Sequence, residues 1–164
     1  MQELEAEAYE AYSNREFPQA IKSLTKLIDT NQSAIEQSRL LELRANVKVD
    51  SKDFLSAIND YDLALKINEP SSSLIPDEAQ LEALARLYAG RALALEGLSQ
   101  WEKALEDYSR AMDKASERGF TPDPYIINSI GTCNASLQQR DSEAEVGVRP
   151  IGWMERSSAH QMPP

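Results

Sequence analysis

Apolar residues recur every three or four positions from about residue 3 to 138. That is the spacing of one helical face, and no stretch alternates as a strand would. Leu4, Ala8, Ala11 and Tyr12 share a face of a first helix that ends near Asn14. Pro18 fits the first turn of a second helix, where no backbone donor is needed. That helix runs to about Asp29, and polar residues 30–33 break the pattern. A third helix spans roughly residues 34 to 49, with Leu40, Leu41, Ala45 and Val49 as its stripe. Residues 50–53 turn into a fourth, which reaches Ile67. After a break at residues 68–73, Pro76, Asp77 and Glu78 start a long fifth helix to about Leu98, with carboxylates near the positive end of its dipole. The sixth runs from Trp101 to Glu117, with Gly119 as its stop. Pro122-Asp-Pro124 opens a seventh, whose stripe is Ile126, Ile130, Cys133 and Leu137. After Gln138 the period is lost. Residues 139–164 mix Gly, Pro, Ser and charge, and they read as a disordered tail.

One phrase is written three times across these helices. It begins at Phe17, Phe54 and Trp101; alanine follows three residues later at Ala20, Ala57 and Ala104. Large apolar residues come next, at Leu24, Tyr61 and Tyr108. Repetition on this scale marks a stack of helical hairpins, since a single hairpin cannot bury its own apolar face. The alanines let paired helices approach closely, and the aromatics wedge between their ends.

These positions resemble the tetratricopeptide repeat family over roughly residues 4 to 138. The resemblance implies an all-α fold: a right-handed α-solenoid of antiparallel helix pairs, about seven helices in all. Repeats fall near 1–34, 38–69 and 76–118, with an incomplete fourth at 122–138. The family's small residue in each first helix matches Ala8, Ala45, Ala92 and Gly131. The first repeat departs at Leu24, where the family carries an aromatic. The spacings of 37 and 47 between Phe17, Phe54 and Trp101 exceed the family's roughly 34-residue period. The surplus lies between hairpins, at 30–36 and 69–83. In the fourth repeat Arg140 and Glu143 stand where an aromatic and an alanine are expected. Three segments, 44–50, 88–92 and 122–137, are similar more narrowly to plant plastid members of the family, some placed at thylakoids. That similarity implies a plastid location and a transit peptide not present in this chain.

The family resemblance implies a protein-interaction scaffold that seats a peptide or protein on the concave wall made by the first helix of each hairpin. Projected onto this chain, the wall holds Glu5, Tyr9, Tyr12, Arg39, Glu42, Asn46, Asp50, Arg86, Leu93 and Glu96. Tyr9 and Tyr12 rank first, because tyrosine offers a large contact area at little entropic cost. Some members grip a chaperone's C-terminal carboxylate with Lys, Asn and Arg. The matching positions are Glu5, Tyr9, Leu43, Arg86 and Gly90; only Arg86 keeps that chemistry, and Glu5 would repel a carboxylate.

Charge narrows the partners. A net charge of −10 disfavours duplex nucleic acid and anionic membranes. No apolar run nears the ~18 residues of a membrane span. The acidic start resembles neither a signal nor a transit peptide, which reads as an intracellular soluble chain. One cysteine, Cys133, leaves no internal disulfide, and on an apolar stripe it reads as a small core residue. Tyr61 and Tyr108, each after an aspartate, read as packing residues beside an exposed Asp60 and Asp107. His160 has no companion for a metal. The sequence holds no nucleophile–base pair, phosphate loop or metal spacing, so it predicts no enzyme, metal or cofactor.

The seventh helix has no following helix to cover its stripe. It offers a surface for self-association, or for an assembly chaperone or adaptor that holds unfolded clients. The abrupt change after Gln138 suggests an alternative exon or shifted reading frame, and Ile151-Gly-Trp153-Met154 is a candidate linear motif within the tail.

Overall fold

The computed structural model describes residues 2–69, 76–117, 119, 121 and 123–147. Among them are seven helices and no strand: α1 (Gln2–Ser13), α2 (Phe17–Thr30), α3 (Ala34–Asp50), α4 (Phe54–Asn68), α5 (Glu78–Gly97), α6 (Trp101–Glu117) and α7 (Pro124–Gly147). They form an all-α solenoid in which each helix packs on the next along the chain. The break at residues 70–73, Pro122, His160 and the motif at 151–154 lie outside the described residues.

Local chemistry sets the helix starts. The side chains of Ser33, Asp53 and Asp77 accept from the backbone N–H of Glu36, Ser56 and Gln80, satisfying donors that lack intrahelical partners. Pro18 sits in the first turn of α2. Gly119 follows α6 with φ +79°, a conformation glycine adopts without strain.

The three hairpin turns share one construction. Arg15, Lys52 and Ser99 have φ of 61°, 64° and 57°, each seven residues after the small residue Ala8, Ala45 or Ala92. The next N–H in each, from Glu16, Asp53 and Gln100, reaches back to the carbonyls of Ala11, Lys48 and Leu95 at 2.8–2.9 Å. This is the helix-ending bond pattern that usually employs glycine, here built without one.

The phrase positions lie in the core. Ala20, Ala45, Ala57, Ala92 and Ala104 are fully buried, as are Tyr61 and Tyr108, and Ala8 is nearly so. Phe17, Phe54 and Trp101 are half-buried at the hairpin ends, packed on the clusters beneath them. Close approach is strict around α5. A Cβ on Gly90 would lie 2.6 Å from the Tyr61 ring, and one on Gly97 2.5 Å from Phe54. Cys133 is buried, as its stripe predicts.

Three expectations need correction. Asp60 and Asp107 are not exposed: they are 3% and 2% accessible. Arg44 grips Asp60 through two bonds of 2.8 and 2.7 Å, and Lys48 adds a third at 2.6 Å. Arg91 grips Asp107 in the same way, at 2.6 and 2.8 Å, and also meets Asp62. Each carboxylate thus locks the two helices of its hairpin, and burial is tolerated because the charge is paired. The first hairpin has no such lock. Its equivalent positions are Glu7 and Ser23, and the Ser23 hydroxyl is the one buried side-chain polar atom without a hydrogen-bond partner among the described residues.

Gly131 is the second correction. It occupies the small-residue position of a fourth repeat, yet it is exposed, and a Cβ there would meet nothing within 4 Å. The third concerns the tail. The helix does not stop at Gln138; α7 continues to Gly147. Gln138, where the other hairpins place their left-handed residue, is helical. Arg140 and Glu143 offer no aromatic or alanine to bury by folding back. The run from Gln138 to Glu145 holds mostly good helix formers and no glycine or proline, so helix propagates without a tertiary face. Arg140 pairs with Glu102 at 2.6 Å and Gln139 bonds Glu143 at 3.0 Å, all at the surface.

Candidate binding wall

The first helices of successive hairpins, α1, α3 and α5, face one another through their side chains. Two rungs repeat. Glu5 of α1 pairs with Arg39 of α3, and Glu42 of α3 pairs with Arg86 of α5 at 3.0 and 3.3 Å. In both rungs the glutamate lies three residues before its helix's small residue and the arginine six before the next. A third link joins the Tyr12 hydroxyl to Asp50.

Most of the expected wall residues are therefore brought together, and they are tied to one another. Arg39 also bonds Glu36 at 2.8 Å, and Arg86 also meets Glu82 at 3.2 Å. Hydrogen bonds donated to Glu36 and Glu5 push the Arg39 guanidinium further toward its charged form, and those donated to Glu42 do the same for Arg86. Hydrogen bonding to Asp50, with some burial, raises the Tyr12 hydroxyl above its usual value. Asn46 accepts from the Tyr61 hydroxyl at 2.5 Å, and Glu96 accepts from Tyr108 at 2.9 Å. Burial first, then nearby carboxylates, push both of those buried tyrosines well above the ordinary phenol range.

Besides a cleft of about 360 Å³ at the end of α1, lined by Tyr12, Ser13, Arg15, Phe17 and Asp50, two clefts open on this wall. The smaller, about 100 Å³, has Tyr9, Tyr12 and Asn46 at its mouth and Ala8, Leu24, Leu43 and Val47 beneath. Tyr9 is 50% and Tyr12 37% exposed, so both rings are available. The larger, about 510 Å³, lies between the starts of α3 and α5 and includes Arg39, Glu42 and Arg86 with Ile35, Ile67 and Glu82. Leu93 is half-buried, and neither it nor Glu96 lines these clefts.

The sequence reading missed Leu43 and Val47 as a cleft floor, although their four-residue spacing was visible. It also missed the Arg44–Asp60 and Arg91–Asp107 locks. Their signal was the sixteen-residue interval shared by both pairs, each arginine directly before a small residue and each aspartate directly before a tyrosine.

The described residues include no cluster of His, Cys, Asp and Glu suited to a metal, and no helix long and apolar enough to cross a membrane. Burial raises the Cys133 thiol to about 11, so its environment does not activate it.

No family model matches the chain, and no curated protein does. Solved structures do. The first TPR domain of human RPAP3 superposes with a TM-score of 0.66 at 19% identity, covering 85% of this chain and 93% of that one. The TPR2B domain of yeast Sti1, solved in complex with pHsp70, gives 0.60 at 21% identity, covering 85% and 96%. The chain has the tetratricopeptide-repeat fold.

Proposed function

We propose that this chain is a non-catalytic scaffold that seats a protein or peptide segment on the wall formed by α1, α3 and α5. One observation carries the reading: two exposed tyrosines, Tyr9 and Tyr12, stand over a cleft with an apolar floor. Aromatic anchors at the edge of a desolvated pocket are where binding energy concentrates. The solved complex of the Sti1 domain is a case of the same fold holding a protein partner.

Capture of a C-terminal carboxylate does not suit this wall. Glu5 and Leu43 replace two polar donors, and Arg86 is held by Glu42 and Glu82. A plastid location rests on the likeness of three sequence segments, to which the human and yeast neighbours add nothing.

The test is partner capture from the native source by wild type and by Tyr9→Ala/Tyr12→Ala. The double variant should keep its helicity by circular dichroism and lose the captured partner. Undiminished capture by a fully helical double variant rules out this part of the wall.

A second reading rests on α7. Tyr125 and Ile127 are 51% and 53% exposed beside the open Gly131. A helix from a second copy or a client chain would complete the fourth hairpin there. Concentration-dependent mass in light scattering, lost in Gly131→Arg, supports it; a monomer at every concentration removes self-association.

A further inference from the structure

We propose that the partner segment for this wall is basic and aliphatic: a lysine or arginine seated at Asp50, beside a valine- or leucine-sized side chain in the cleft under Tyr9 and Tyr12. The inference rests on the wall reading above and adds the chemistry of what binds.

Charge balance gives the first argument. On the wall side of α1, α3 and α5 the carboxylates of Glu5, Glu36, Glu42, Asp50, Glu82 and Glu96 stand with the guanidiniums of Arg39 and Arg86, while Arg44, Lys48 and Arg91 of the same helices are held by Asp60, Asp62 and Asp107. Arg39 and Arg86 are already shared among Glu5, Glu36, Glu42 and Glu82. Asp50 and Glu96 have only phenol hydroxyls, those of Tyr12 and Tyr108, and pair with no cation among the described residues.

Position gives the second argument. Asp50 is the last residue of α3, and Glu96 is the next to last of α5. The C-terminal end of a helix carries partial negative charge, so it favours a cation and disfavours a carboxylate. Here the carboxylate and the dipole add. An incoming ammonium or guanidinium would meet both, and at Asp50 it would also meet the exposed ring of Tyr12, whose face attracts cations.

Size gives the third. A cavity of roughly 150 Å³ admits a benzene ring. The cleft of about 100 Å³ over Leu43 and Val47 therefore suits a branched aliphatic side chain better than an aromatic one. Cation and aliphatic group must be near neighbours in the ligand, because Tyr12 both lines the cleft and bonds Asp50.

The test uses three fluorescein-labelled peptides in a glycine–serine frame: one alternating leucine and lysine, one with glutamate for each lysine, one with serine for each leucine. Fluorescence anisotropy with the full chain should show the first binding most tightly, and more weakly as salt rises. Asp50→Lys should weaken it about tenfold by placing like charges together. Asp113→Lys, the same charge change at an exposed site on α6, should cost less than about twofold. If the glutamate peptide binds as well as the lysine one and is lost in Tyr9→Ala/Tyr12→Ala, the basic inference falls while the wall reading stands. If Asp50→Lys and Asp113→Lys weaken binding equally, the attraction is only net charge and the inference falls. If no peptide binds, it also falls, and partner capture decides the wall by itself.

Discussion

The third hairpin and the unfinished fourth start from the same plan and end differently. In α5–α6 every phrase position has an opposite number: Ala92 meets Ala104 in one core cluster, and Arg91 locks Asp107. In α7 the small residue is Gly131, and among the described residues no helix stands opposite it. Ile126, Ser129 and Cys133 are buried, while Tyr125 and Ile127 are about half exposed. The difference shows that a repeat's packing residues acquire their meaning from the neighbouring helix. The same small residue is obligatory beside a partner and idle without one.

The largest break in that contrast should come from a tyrosine pair. Tyr108→Ala should cost about 3–5 kcal/mol in urea unfolding, because a fully buried ring leaves a cavity. Tyr125→Ala should stay within about 0.5 kcal/mol. Equal losses would mean that α7 is packed as tightly as α6.

Glycines give the next largest. Gly90→Ala drives a methyl into the Tyr61 ring, which is buried and cannot retreat, at about 1–3 kcal/mol. Gly131→Ala should do the opposite and stabilise by about 0.5–1 kcal/mol, through helix propensity in open space. A destabilising Gly131→Ala would show that this face is covered.

Alkaline pH separates the regions more gently. Burial raises the Tyr61 and Tyr108 hydroxyls, so the folded chain holds protons that the unfolded chain loses near pH ~10. The stability this contributes is complete below that pH and is lost as pH climbs toward the folded values. Tyr108→Phe should flatten the decline. The smallest effect should follow deletion of residues 139–164. Among the described residues, the ion pair it removes from α6, Arg140–Glu102, is exposed, so the thermal midpoint should not move measurably.

The fold was legible because its packing rule is local. An aromatic, then alanine three residues on, sets the hairpin whatever the linker length, and Ala20, Ala57 and Ala104 are all fully buried. Asp60 and Asp107 were misread because their partners lie on the preceding helix, and neighbouring sequence says nothing of a charge arriving from there. The end of α7 was misread for another reason. Loss of apolar period removes the tertiary motive for a helix, not the propensity of Gln, Arg, Glu and Ala to stay in one. The turns could not be recognised from glycine, since Arg15, Lys52 and Ser99 do that work. On the wall, Tyr9 and Tyr12 were legible as residues of the first helix's open face, and both are exposed, whereas the Glu5–Arg39 and Glu42–Arg86 rungs required knowing how successive first helices align.

Among the described helices α1 and α7 each follow or precede one sequential neighbour only, and that sets the order in which this part of the molecule opens. A stack of this kind behaves as a line of units coupled to their nearest neighbours, and an end unit has one coupling where an inner unit has two. Amide exchange should therefore run as a gradient, fast along α1 and α7 and slowest around α4 and α5. Limited proteolysis should therefore cut α1 or α7 before the central helices, and a helix seated on α7 would slow the cut there.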